Sequence, residues 1–231
     1  LRPAEKLPVA GFDRVEEQRI DVHCALAEAS CRMRKLLLLA VVLLVLISGV
    51  SHWRHRPLHP SPGVLAPDDP VQVDLDHGDT LQRGDVTLTT RAQFDITARV
   101  LSREDYSSGA DGRLIPEDLA LGWGRMSDSA VLAHIDISQS GRFYYWHVEQ
   151  FPIPRREIET HSANMHLIPA DDGVKQQLEQ VRQGQLIHLQ GFLVDATRAD
   201  GWRWNTSMTR DDTGAGACEL IYVESVDMPT P

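Results

Sequence analysis

The sequence predicts an α+β domain of mostly antiparallel sheet or partial barrel with two or three helices, preceded by one transmembrane helix and a Pro-rich stalk. Three observations carry this: one unbroken apolar run near the start, short alternating segments punctuated by turn residues, and a few helix-period stretches in the middle of the chain. With 231 residues, 42% of them hydrophobic and 24% charged, the chain suits one folded domain plus an anchor or tail.

The run Leu36 to Val50, LLLLAVVLLVLISGV, lies between Arg32, Arg34 and Lys35 on one side and Trp53, Arg54 and Arg56 on the other. As a helix it spans about 23 Å, short of the ~30 Å hydrocarbon core unless Ser51 to Trp53 extend it. Two readings fit this layout. A cleaved secretory signal has the same order of basic, apolar and small residues, but no clear Ala-x-Ala site follows. An uncleaved anchor explains Trp53 with its neighbouring arginines as an interfacial belt, and residues 33–53 are expected to be that anchor. The lipid bilayer is then a partner through Leu36 to Trp53.

Met33 precedes Arg34, Lys35 and the apolar run, the layout of a translation start, so residues 1–32 are expected to be an N-terminal extension. Cys24 and Cys31 would fall away with it. Cys218 would stand alone, leaving no intramolecular disulfide. A short basic start normally stays in the cytoplasm, which places the remainder in the periplasm, on a bacterial inner membrane crossed once. From residue 57 onward there are 27 acidic against 14 basic residues and no basic stripe, which argues against nucleic acid as a partner.

Arg54 to Pro70 contains Pro57, Pro60, Pro62, Pro67 and Pro70, disfavours helix, and reads as the stalk of an acidic domain covering 71–231. Val71 to Leu75, Val86 to Thr90 and Phe94 to Leu101 read as strands of a meander. In the last of these Phe94, Ile96, Ala98 and Val100 alternate with Asp95, Thr97 and Arg99. SSGADGR reads as a loop, and Ile115 to Asp118 as the opening of a helix with proline in its first turn. A second short helix starts at Ser127 or Asp128, and the aromatic run within Gly141 to Val148 favours a strand. Asp171 to Arg182 is the clearest helix, with Val174, Leu178 and Val181 on one face and Gly184 as its stop. Leu186 to Asp195, Trp202 to Ser207 and Cys218 to Val226 read as the closing strands. A helix followed by these strands leaves an OB-like barrel as one option.

Four constellations could carry function. THSANMHLIPADD places His161, Asn164 and His166 in one polar loop, and two histidines five apart, with Asp171, Asp172 or Glu159, could approach a metal; no zinc spacing is matched, and loop hydrogen bonding explains them with less. Cys218 with His161 or His166 as base supplies the residue types of a cysteine hydrolase. Its position at a strand start beside Glu219 is wrong for a low-pKa thiolate, so a small buried side chain is the expectation. TSMTRDDTGAGACE gathers Arg210, Asp211 and Asp212, which with Glu219 could hold calcium, a ligand, or simply a glycine-permitted bend. LALGWGRMSDSAVL sets Trp123 between glycines beside Arg125, as a ligand contact or as a buried tryptophan at a helix break. No catalytic residue, metal or cofactor is predicted. The expected ligand-binding set is Trp123, Arg125, His161, Asn164, His166, Arg210, Asp211 and Asp212.

The order LALGWGRMSDSAVL, ISQSGRFYYW, THSANMHLIPADD, GQLIHLQGFLVDA and WRWNTSMTRDDTGAGACELIYVE, behind a basic start and one apolar run, resembles an uncharacterised family of proteobacterial single-span membrane-anchored proteins. The resemblance covers Met33 to Asp227. It implies the start at Met33 and the anchor, and brings no activity and no catalytic residue. The function expected is a non-catalytic binding module of the cell envelope, partnered by an envelope protein or a small ligand; the alternative is an envelope hydrolase using Cys218.

Overall fold

In the computed structural model, which describes residues 33–46, 48, 49, 56–214 and 216–229, the chain divides into two units, 1–54 and 55–231. In the first, residues 33–46 form helix α1 with its leucines and valines exposed. No helix among the described residues is long and apolar enough to cross a membrane. The expected extension 1–32 and the end of the expected span, at 50–53, lie outside the described residues.

The second unit is α+β with a mostly antiparallel sheet. Its strands are β1 (Val71–Asp74), β2 (Thr80–Arg83), β3 (Val86–Asp105), β4 (Glu117–Gly122), β5 (Asp136–Ser140), β6 (Phe143–His147), β7 (Ser162–Pro169), β8 (Leu186–Arg198), β9 (Arg203–Trp204) and β10 (Glu219–Asp227). Four short helices intervene: α2 (Gly109–Leu114), α3 (Ser129–Leu132), α4 (Arg155–Thr160) and α5 (Asp172–Leu178).

Five strands close on one another in the order β3-β4-β7-β10-β8 and back to β3. All neighbours in this ring run antiparallel except β7 and β10, which are parallel. With α5 between the third and fourth ring strands, this is the arrangement of a small OB-type barrel. β3 makes closure possible. The expected strands at 86–90 and 94–101 are one twenty-residue strand, continuous through a register shift between Thr90 and Ala92. A bulge bends the strand and changes which residues face inward. Before it Val86 and Leu88 face an outer apolar cluster; after it Ala92, Phe94, Ile96, Ala98 and Val100 face the interior. There they meet Leu119, Leu121, Met165, Leu167, Leu189, Leu193, Ile221 and Val223, while Val174 and Leu178 of α5, followed by Val181, join the same cluster. The period-3.6 pattern predicted that helix, and Asp171 caps it by accepting from the Val174 amide.

Two expectations are overturned. The segment opening at Ile115 is the strand β4, not a helix. All six β4 residues are buried, so the alternation that marks a strand is absent, and both of its carboxylates have cationic partners, Glu117 near Arg103 (3.4 Å) and Asp118 near Arg142 (2.7 Å). The loop expected around His161 to His166 is mainly strand β7. Its polar residues are tolerated inside because Asn164 and His166 meet partners on the barrel's outer side. The helices α2, inside SSGADGR, and α4, and the strands β2 and β5, are additions to the expected set.

The proline-rich segment is held against the body from its first described residues. The Leu58 amide donates to Gln183 O, Ser129 Oγ donates to Pro60 O, and the Leu65 and Ala66 amides share Ser127 Oγ. Ala66 is buried in the barrel core. Gly184, at φ +84°, lies so close that a Cβ there would stand 2.0 Å from Leu58 O. The segment is therefore a strap rather than a free stalk, and the folded unit begins near residue 56 instead of Val71.

Candidate functional site

The outer face of β4 and β7, where OB-type barrels commonly take ligands, is occupied here by the chain's own β4–β7 connection. That connection contributes the two-stranded sheet β5–β6. Its inward residues Ile137, Tyr144 and Trp146 pack over Leu101, Ala120, Met126 and Ile158. At the hairpin tip Gly141 and Arg142 both have positive φ, +60° and +73°, as a tight turn of this twist requires. Arg142 reaches Asp118 at 2.7 Å, its guanidinium carbon 3.4 Å from the centre of the Tyr106 ring.

Between this hairpin and the β9–β10 loop a cavity of about 150 Å³ remains open. Tyr144 and Trp146 form an aromatic wall with Phe143 at its edge; Ser162, Ala163 and Asn164 at the start of β7 supply the floor; Asp212 to Gly214 and Ala217 to Glu219 close the far side. Trp146 and Tyr144 point inward because β6 alternates, which leaves Phe143 and Tyr145 exposed on the opposite face.

Two ionisable groups border the cavity. Glu219 is 1% exposed, and its Oε1 lies 2.6 Å from Arg210 Nε in an ion-pair contact that lacks hydrogen-bond alignment; among the described residues no other residue donates to Oε2. Burial pushes this carboxyl up to about 7 against the pull of Arg210. Cys218 is half-buried, and burial together with the Glu219 charge pushes its thiol up to about 12. A nucleophilic cysteine needs the opposite shift. Asn164 faces the thiol, while both imidazoles are engaged elsewhere. His166, 2% exposed, has Nδ1 2.9 Å from Asp118 and stands edge-on to Trp204. His161 Nδ1 lies 3.0 Å from Thr160 Oγ1 and 3.2 Å from Glu157 O.

The expected ligand-binding set does not converge on one site. Asn164, Arg210 and Asp212 line the cavity, joined by Cys218. Trp123 is a core residue, 1% exposed, whose Nε1 donates to Asp69 of the strap and whose ring lies 6.2 Å from His161. Arg125 lies on the surface in a bidentate pair with Glu157, which holds that carboxyl below the usual range. Asp211 pairs with Arg156 of α4 at 2.6 Å. His166 belongs to the buried Asp118 cluster. Among the described residues no group of three or more His, Cys, Asp or Glu is arranged to hold a metal ion.

Residue-type reasoning missed the aromatic wall. The usable signal was the alternation in FYYW, which puts alternate rings on one face, but nothing in it says that a loop sixty residues later closes over them. The domain is a ring of five strands whose β4–β7 face is covered by the chain's own hairpin, with an open cavity beside it. No protein-family model, curated protein or solved structure matches the chain.

Proposed function

We propose that this is a single-span protein of the bacterial inner membrane whose acidic domain stands in the periplasm and acts as a non-catalytic binding module. The observation that carries the binding half is the cavity between the β5–β6 hairpin and the β9–β10 loop, with an aromatic wall facing buried polar groups, the composition of a small-ligand site. The anchor half rests on the apolar run with its basic flanks, on Trp53, and on the resemblance to membrane-anchored proteobacterial proteins.

Catalysis by Cys218 is disfavoured by its high pKa and by the other engagements of both imidazoles. The test is p-nitrophenyl acetate turnover by the full chain in non-ionic detergent, wild type against Cys218→Ala. The binding-module reading expects both to match the uncatalysed rate. Multiple turnovers lost in Cys218→Ala would replace it with the hydrolase.

A further inference from the structure

We propose that the cavity beside Cys218 takes a compact organic cation, an ammonium or guanidinium head, with its charge against Glu219 and Asp212 and its apolar substituents against Trp146 and Tyr144. This inference rests on the reading of the domain as a binding module and names the ligand class for that same cavity.

The cavity's charges favour a cation once each is followed to its partner. Arg210 is the one basic residue in the lining, and it is directed away from the open space. Its Nε is on Glu219 Oε1, its guanidinium carbon is 5.4 Å from the Phe94 ring centre in the barrel interior, and Nη1 donates to Gln72. Glu159 is held by Arg155 at 2.7 Å, and Arg155 also lies 5.9 Å from the Trp146 ring centre. What remains for a ligand is Asp212, whose Oδ2 accepts from Ser207, and the second oxygen of Glu219.

That second oxygen is the independent sign of a missing donor. Buried polar atoms are almost always hydrogen-bonded, and among the described residues Glu219 Oε2 accepts from no other residue, on a side chain that lines the open space. The aromatic rings Tyr144 and Trp146 in the same lining complete a cation site, since a ring quadrupole attracts a desolvated ammonium or guanidinium. Size limits the choice. A cavity of about 150 Å³ suits a group comparable to benzene and is too small for an oligosaccharide. The acidic excess of the domain adds an attractive field for any cation approaching it.

The carboxyl that titrates at about 7 gives the site a signature. A bound cation favours the ionised form of Glu219, so binding expels a proton, and affinity strengthens as pH rises through neutrality.

The experiment is isothermal titration of the full chain in non-ionic detergent at pH 6 and pH 8. The probes are choline, its uncharged isostere 3,3-dimethyl-1-butanol, and the peptide Gly-Arg-Gly. Saturable choline binding, about tenfold tighter at pH 8 than at pH 6, with the isostere silent, is the expected result. Glu219→Gln removes the pH dependence and weakens binding about tenfold; Asp212→Asn, at an exposed position, also weakens it. Binding of Gly-Arg-Gly but not choline would support the cation site and assign its head to an arginine on a protein partner. Equal binding of choline and the isostere, without pH dependence, would overturn the cation inference while leaving the binding module standing. Silence of all three probes would overturn the inference, and so would choline binding indifferent to both substitutions.

Discussion

Arg142 reaches from the tip of the β5–β6 hairpin to the fully buried carboxylate of Asp118, 2.7 Å away, from a backbone position at φ +73° that only glycine adopts without cost. The pair fixes the hairpin over the face of β4 and β7, with Arg142 Nη2 also donating to Ile115 O and Asn164 donating to Arg142 O. The open cavity therefore depends on an ion pair outside it. Removing one partner of a buried pair leaves the other charge uncompensated, at a cost of about 3 kcal/mol. Arg142→Ala is expected to lose that much in urea unfolding. Arg142→Gly loses about 1 kcal/mol less, because glycine accepts the turn geometry. A neutral effect of Arg142→Ala would show that the hairpin is held by its apolar face alone.

Two buried carboxyls give the domain a pH dependence of definite sign. Burial pushes Glu117 up to about 8 and Glu219 up to about 7, both from an ordinary 4.5. A raised folded-state pKa means that the folded chain holds protons the unfolded chain has released. The stabilisation is complete below about 4.5 and is lost as pH rises through 7 to 8. Thermal unfolding is therefore expected to show Tm falling from pH 5 to pH 8.5. The Glu117→Gln, Glu219→Gln double variant should flatten that slope, and a Tm that rises over the same interval would contradict the assignment.

The strap makes a prediction about where the folded unit starts. A chain begun at Val71 lacks Ala66 in the core, the Ser127 Oγ contacts and the Asp69 acceptor of Trp123. The loss is expected to be about 2–3 kcal/mol or more relative to a chain begun at Arg56, from buried apolar area and the strap's hydrogen bonds. Equal urea midpoints for the two chains would return the segment to the status of a free stalk.

The pattern of these residues explains what the sequence could and could not disclose. Strands with one wet face, such as Phe94 to Val100, and the capped amphipathic helix at Asp171 are legible because burial on one side leaves a period. β4 is not, since EDLALG is buried on both faces and carries two carboxylates whose partners, Arg103 and Arg142, lie on other elements. β7 is misread for the same reason, with Asn164 and His166 satisfied only by residues distant in the chain. Closure of the ring depends on the pairings of β3 with β8 and of β7 with β10, which leave no local mark. Within the cavity, Asn164, Arg210 and Asp212 were marked by residue type, whereas Tyr144 and Trp146 were hidden in a run that any strand might carry.

An anchored binding domain with an unreactive thiol is tested most directly by fractionation of cells expressing the full chain, followed by iodoacetamide labelling of the folded protein and intact mass. The predicted result is a species retained in membranes through an alkaline carbonate wash, released by detergent, with Cys218 alkylated far more slowly than in urea, as a thiol titrating at about 12 requires. A soluble, cleaved species whose Cys218 is alkylated as fast folded as unfolded would contradict the account.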